Sequence, residues 1–345
     1  MPVKCGGMPF TGRILVTGAA GFIGSAVAWG LNQQGSDRLV LVDRLGRSEK
    51  WRNLASLRFE DYLDADDLFA ALERGALDEV HTVFHLGACS STTETDASYL
   101  MRNNVDYTRR LAAWALGRGA RFLYASSAAT YGALEGELDE TIPLDQLRPL
   151  NMYGYSKHLF DRYADRLGYL QQAVGLKYFN VFGPNEDHKD DMRSMVHKAF
   201  HQIRDTGRVR LFRSHRPEFA DGEQRRDFIY VKDAVAMTLH LAATPSAHGL
   251  YNIGAGVAHT WIDLVTAVFA ALDRPPQIDF IDMPEALRGK YQYSTCAAIG
   301  RLRRSGYTAA VTPLSAAIAD YVRGYLLHDR RLGDETLAAA RPAVV

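Results

Sequence analysis

A phenol and an amine stand four residues apart in Tyr153-Gly154-Tyr155-Ser156-Lys157, the spacing that sets both on one face of a helix. An ammonium so placed stabilises a phenolate, and a tyrosine acidified this way can take a proton from an alcohol near neutral pH. Upstream, Gly18-Ala19-Ala20-Gly21-Phe22-Ile23-Gly24 follows the apolar run at residues 13–17 and opens an amphipathic stretch. In a strand-turn-helix context, Gly18 allows a tight turn, Gly21 lets backbone approach a pyrophosphate and Gly24 permits close helix packing. Together the two motifs predict hydride chemistry on a bound dinucleotide.

Asp43 closes a second apolar run about 20 residues after the glycines, where an acid accepts a hydrogen bond from the adenosine ribose and favours NAD. Arg44 follows directly, with Arg47, Lys50 and Arg52 near, and such cations can hold a 2′-phosphate instead. NADP is the reading adopted, although Lys50 and Arg52 also suit a solvated loop. Asp61, taken to end the third strand, suits either the adenine amino group or an exposed turn. Ser127, at the end of the strand around 122–124, can hydrogen-bond a reacting oxygen, while Ser126 fits better as a loop cap. Arg226 can grip a pyrophosphate bidentately or pair with neighbouring Asp227.

These groups need a scaffold, and the sequence predicts one. Apolar runs at 14–16, 39–42, 80–86, 122–124 and 174–179 alternate with helical stretches at 22–34, 97–116 and 153–169. That alternation implies an α/β fold, a Rossmann-type doubly wound parallel sheet that collects its ligand loops at one edge. After about residue 180 the alternation loosens into a smaller C-terminal substrate-binding lobe, with a charged loop at 183–191, a helix at 192–204 and a second charged loop at 213–226. The domain reading is a loose extension at 1–12, an NADP-binding domain at 13–180, a lobe at 181–330 with segments returning to the first domain, and a tail at 331–345. Met8 is a candidate natural start.

Bulk properties exclude several classes. Forty basic residues balance forty acidic ones over 345 residues, so nothing draws the whole molecule to nucleic acid or an anionic membrane. Cys5, Cys89 and Cys296 have neither metal-ligand nor disulfide spacing, so no metal is expected and a reducing, cytoplasmic compartment is. No apolar run reaches the roughly 18 residues of a membrane span.

The sequence resembles the extended short-chain dehydrogenase/reductase family, whose members act on nucleotide sugars. Within it, Gly87-Ala88-Cys89-Ser90-Ser91-Thr92-Thr93-Glu94, residues 126–132, Asn151 to Lys157, Phe179 to Pro184 and His188-Lys189 are similar to the branch that inverts C6 of an ADP-linked heptose. The resemblance implies NADP held by Phe22, Ile23, Asp43, Arg44, Lys50, Leu86, Gly87, Ala88, Cys89, Ser90, Asn103, Lys157 and Val181. It implies an ADP-sugar against Ser127, Asn180, Asp191, Lys198, Phe212, Arg213, Ser214, His215, Arg226 and Tyr291. It also implies Lys189 as a second base beside Tyr153, so that hydride leaves C6 and returns to the opposite face. Read without the resemblance, Lys189 is a solvated loop charge. The implied setting is lipopolysaccharide core synthesis by a homo-oligomer, a ring of five or its doubled form.

Departures and alternatives remain. Asp190-Asp191 follows His-Lys where the family commonly carries small or basic residues, Ala65 stands where some members have a cofactor-contacting lysine, and Lys198 where some have histidine. A dehydratase would carry an Asp-Glu pair where Ala128 and Ala129 stand. A nucleotide-hexose 4-epimerase needs the same Ser, Tyr and Lys but not Lys189. A non-catalytic NADP-sensing regulator would need neither Tyr153 nor Lys157.

Overall fold

The computed structural model describes residues 10–288 and 291–334. Seven parallel strands form its main sheet: β1 (Arg13–Thr17), β2 (Leu39–Asp43), β3 (Asp61–Asp64), β4 (Val80–His85), β5 (Arg121–Ser127), β6 (Val174–Tyr178) and β7 (Gly249–Ile253). Across the sheet they run β3-β2-β1-β4-β5-β6-β7, so strand order reverses between β1 and β4. This is the doubly wound Rossmann-type arrangement that the alternating pattern predicts, and ligands of such sheets bind beyond the carboxyl ends at the reversal.

Side chains alternate between two buried layers, as extended backbone requires. Ile14, Val16, Leu39, Leu41 and Phe84 pack on one face with the helices Phe22–Gln33 and Val231–Ala243, while Leu15, Val40, Val42, Val83 and Phe122 pack on the other with Leu111 and Phe160. The first two helices touch closely, since a Cβ on Gly30 would lie 2.5 Å from Val235 Cγ1.

The remaining strands are short. Asn180–Phe182, Arg225–Tyr230 and Ala258–Thr260 form one small sheet, Val209–Phe212 pairs with Ile278–Ile281, and Gly136–Leu138 pairs with Thr295–Ala297. The chain re-enters the main sheet through Val231–Ala243 and β7.

Four expectations need correction. Asp61 opens β3 rather than ending it, pairing with Val40, so the acid level with Asp43 is Asp64. The stretch 97–116 is not one regular helix, because a π-helical turn at Met101–Asp106 interrupts it. The 192–204 helix begins at Met195, where the Ser194 hydroxyl caps the His197 amide at 3.3 Å. Phe10, assigned to a loose extension, is buried against Phe84 with ring centroids 6.1 Å apart. Cys5 and Met8 lie outside the described residues, as does the tail from 335; residues 331–334 are docked.

Candidate active site

The carboxyl edge at the reversal point is shaped by missing side chains. Gly18 has φ +68°, and a Cβ there would fall 2.5 Å from the Gly87 amide nitrogen. A Cβ on Gly24 would fall 2.0 Å from the Gly18 carbonyl oxygen. Only glycine fits either position. The helix Phe22–Gln33 starts at Gly21 without a side-chain cap and with no acid in its first turn. Among the described residues, the amides of Phe22, Ile23 and Gly24 have no acceptor. Three free N–H groups at the positive end of a helix suit a pyrophosphate.

Asp43, at the end of β2, is already committed. One oxygen accepts the amides of Ala20 at 2.8 Å and Gly21 at 3.2 Å. The other accepts the Arg44 amide at 2.7 Å and the Lys50 ammonium at 2.6 Å. Asp43 therefore braces the glycine turn and brings Lys50 to the crevice. The Arg44 guanidinium is held by Asp66, which keeps its pKa above the ordinary value, and by Asn103 at 3.2 Å. Thr17, Gly18, Asp43, Arg44, Lys50, Ala65, Gly87, Ala88, Cys89, Tyr99, Asn103 and Tyr107 enclose a cavity of about 180 Å³. A rigid cradle flanked by two cations fits a dinucleotide bearing a 2′-phosphate.

The Met152–Arg166 helix starts where Asn151 caps the Gly154 amide at 2.8 Å. It carries Tyr153 and Lys157 to the ends of β4 and β5. The Ser127 hydroxyl, which accepts the Ala129 amide at 3.1 Å, lines one cavity together with the Tyr153 phenol. Burial raises the Tyr153 pKa above its ordinary value, and the neighbouring Ser127 hydroxyl opposes that shift. Lys157 is buried, donates to the Ala125 carbonyl at 2.9 Å, and is pushed by burial down to about 8. Burial thus outweighs the expected acidification of Tyr153, while the Lys157 ammonium keeps its charge, anchored on the Ala125 carbonyl.

Lys189 sits on a short 3₁₀ turn, Asp187–Met192, folded tightly rather than as a solvated loop. Buried Glu186 accepts the Gly183 amide at 3.3 Å and the Ser194 hydroxyl at 2.7 Å. Asn185, at φ 79° and fully buried, links the turn to Ser25 and to the Leu332 amide, both at 2.9 Å. The Lys189 ammonium lies 5.1 Å from the Phe22 ring centroid at the glycine turn. Burial lowers its pKa, with Lys198 lowering it further and Glu186 opposing.

Two further cavities meet here. One, of about 250 Å³, is lined by Thr92, Ser127, Tyr153, Arg226 and Gln292; the other, of about 960 Å³, by Lys189, Lys198, Phe212, Trp261 and Tyr291. Phe179 and Asn180 line both, which places the phenol and the amine in adjoining compartments. Arg226 is buried, with its guanidinium on the carbonyls of Arg225 and Gln292 and 5.0 Å from the Tyr291 ring centroid. Burial lowers its pKa, and among the described residues no carboxylate pairs with it. Asp227 instead accepts the amides of Ala255, Gly256 and Ala297. An unneutralised guanidinium in a cavity wall suits an anion.

Other sequence-selected residues fall elsewhere. Val181 lines the large cavity, not the cofactor crevice. Asp61 is exposed at the far end of β3, about 10 Å along the strand from the crevice. Asp191 is exposed and offers only its carbonyl, to the Lys198 ammonium at 2.6 Å. Arg213 is spent on Asp221 at 3.3 Å, the Ser214 amide donates to Asp221 and the His215 amide to the Tyr293 hydroxyl, and none of the three lines a cavity described above. Leu86 and Ser90 flank the crevice lining of Gly87, Ala88 and Cys89. The sequence reading missed Asn104, which clamps Cys89 through its amide and its carbonyl at 2.8 and 3.0 Å, and Tyr99 and Tyr107 in the crevice wall. An asparagine inside an expected regular helix carries no signal of such a role.

A dinucleotide cradle joined to a hydroxyl-activating centre and an anion-binding wall defines a class. Residues 14–254 match the model of the NAD dependent epimerase/dehydratase family, and the chain belongs to that family. Within it, the similarity is to ADP-L-glycero-D-manno-heptose-6-epimerases. The one from Nitratidesulfovibrio vulgaris strain Hildenborough is 52% identical over 316 residues, covering 90% of this chain and 97% of the relative. The one from Fusobacterium nucleatum subsp. nucleatum is 44% identical over 324 residues, 91% of this chain and 98% of the relative. The crystal structure of the Helicobacter pylori ADP-L-glycero-D-manno-heptose-6-epimerase superposes with a TM-score of 0.78 at 27% identity, covering 92% of this chain and 97% of that one.

Proposed function

We propose that this protein is an NADP-dependent isomerase that inverts C6 of the heptose in ADP-D-glycero-β-D-manno-heptose, giving the L-glycero epimer for lipopolysaccharide core synthesis. The observation that carries this reading is the placement of Tyr153 and Lys189 in adjoining cavities that share Asn180. One proton-transfer group on each side of a sugar is what inversion through a 6-ketone needs. NADP, when bound, supplies the hydride acceptor and donor.

The chain's own residues do the rest. Free amides at Phe22, Ile23 and Gly24 hold the pyrophosphate, and Arg44 and Lys50 hold the 2′-phosphate. Ser127 donates to the reacting oxygen while Tyr153 takes the hydroxyl proton of one epimer. Lys189, its ammonium destabilised by burial, does the same for the other epimer. Arg226 holds the sugar pyrophosphate, so the sugar can turn between hydride transfers without leaving. Lys157 keeps a positive charge beside the phenol.

A nucleotide-hexose 4-epimerase would share Ser127, Tyr153 and Lys157 but leave the half-buried Lys189 without a task. Incubating the protein with each ADP-heptose and resolving the C6 epimers tests the reading. Conversion of either pure epimer to one and the same equilibrium mixture supports it, and turnover only on a hexose nucleotide overturns it. The free thiols Cys89 and Cys296 suit a cytoplasmic setting. The proposed assembly is a homo-oligomer, a ring of five or its doubled form.

A further inference from the structure

We propose that the buried ion pair of Asp161 and Lys177 is a positioning device that fixes Ser127 relative to Tyr153. The proposal rests on the reading of those two residues as the hydroxyl-activating pair. Both charged side chains are essentially inaccessible, at 0% and 1% exposure, with Lys177 Nζ 3.2 Å from Asp161 Oδ2. Asp161 lies on the helix of Tyr153 and Lys157, and Lys177 on β6. The pair reaches the Ser127 segment from both partners. Asp161 accepts the Ser126 hydroxyl at 2.7 Å and the Tyr124 hydroxyl at 2.9 Å. Lys177 donates to the Thr130 hydroxyl at 2.5 Å, and that hydroxyl donates to the Ser127 carbonyl at 2.7 Å. The Tyr131 ring lies 4.8 Å from the ammonium.

From the Tyr153 helix this one pair thus holds Ser126, immediately before Ser127 in the chain, and through the Thr130 hydroxyl it reaches the Ser127 carbonyl. Burying two charges costs desolvation that an apolar pair of equal volume avoids, so stability alone does not call for them. Directed hydrogen bonds do what apolar packing cannot. They fix orientation around a strand end that must present one hydroxyl to one phenol, and a displacement of about 1 Å there can slow turnover roughly a hundredfold.

The test is the doubly neutral variant Asp161→Asn/Lys177→Met, which leaves no unpaired buried charge. Melting temperature, bound cofactor, KM and kcat are measured together. The expected result is a folded, cofactor-loaded protein with KM within about threefold of wild type and kcat lower by about tenfold to a hundredfold. A second variant, Thr130→Val, keeps the ion pair and cuts only the link to the Ser127 carbonyl; it should lower kcat by about tenfold with KM unchanged. The proposal is overturned if either folded variant keeps wild-type kcat, or if the loss appears in KM alone. Undiminished turnover in Tyr153→Phe would instead remove the reading on which the proposal rests.

Discussion

The carbonyl oxygen of Ala129 lies 2.7 Å from where a Cβ on Gly154 would be. The helix bearing Tyr153 therefore approaches the turn after Ser127 at backbone distance, and Gly154 is the residue that lets it. Gly154→Ala is expected to push helix and turn apart, lowering stability by about 1–3 kcal/mol. Turnover should fall further than the folded fraction does, since Tyr153 is the preceding residue. Thermal melts alongside kcat check this.

Tyr153→Phe and Lys189→Met are each expected to slow epimerisation by about two to four orders of magnitude, the usual contribution of a positioned proton-transfer group. The double variant should be nearly inert while still binding NADP. Rates from each pure epimer measure it, and wild-type rates in both directions for Lys189→Met would sink the two-base reading.

Arg226→Met removes the buried guanidinium but keeps the packing against Tyr291. ADP affinity is expected to drop by at least tenfold, because a charge-assisted contact contributes about 1.5–3 kcal/mol. Calorimetric titration of the cofactor-loaded protein with ADP reads this directly, and Arg226→Lys should not restore it.

Arg44→Ala is expected to weaken NADP binding while changing NAD binding by less than about threefold, since the lost contact is to a charge only NADP carries. Extraction of the cofactor bound to freshly purified protein gives a second check. Mostly NAD in wild-type extracts would overturn the assignment of Arg44 and Lys50.

Lys157 supplies a pH prediction. Burial brings its folded pKa from 10.5 to about 8, so turnover should decline as pH rises through about 8 and the ammonium is lost. Stability moves the other way. Between about 8 and 10.5 the unfolded chain holds more protons than the folded one, so stability rises with pH across that window. Denaturation midpoints of Lys157→Met should lack this rise.

Much of the sheet was legible because its strands are apolar on both faces and its glycines fall at fixed steps after β1. Tyr153, Lys157 and Ser127 were legible for the same reason, being tied to a helix and a strand end. Asp61 was misplaced because β3 is four residues long, and short strands carry no register signal of their own. Asp43 illustrates a different limit. Its type and position predicted a ribose contact, yet four donors from the chain itself occupy it. The state of Lys157 was equally hidden, since helical spacing shows which groups share a face but not which carbonyl lies nearer. Asp161 and Lys177 stand sixteen residues apart in sequence, and only the packing of helix on sheet brings them together.

The Leu332 amide closes on Asn185, a contact spanning 147 residues of sequence. During synthesis the glycine turn and the tyrosine helix can fold while residues beyond 330 are still inside the ribosome, but the turn carrying Lys189 then lacks its brace. A nascent chain would thus gain its nucleotide crevice before its second base, so truncation just before Arg331 should uncouple cofactor retention from epimer interconversion.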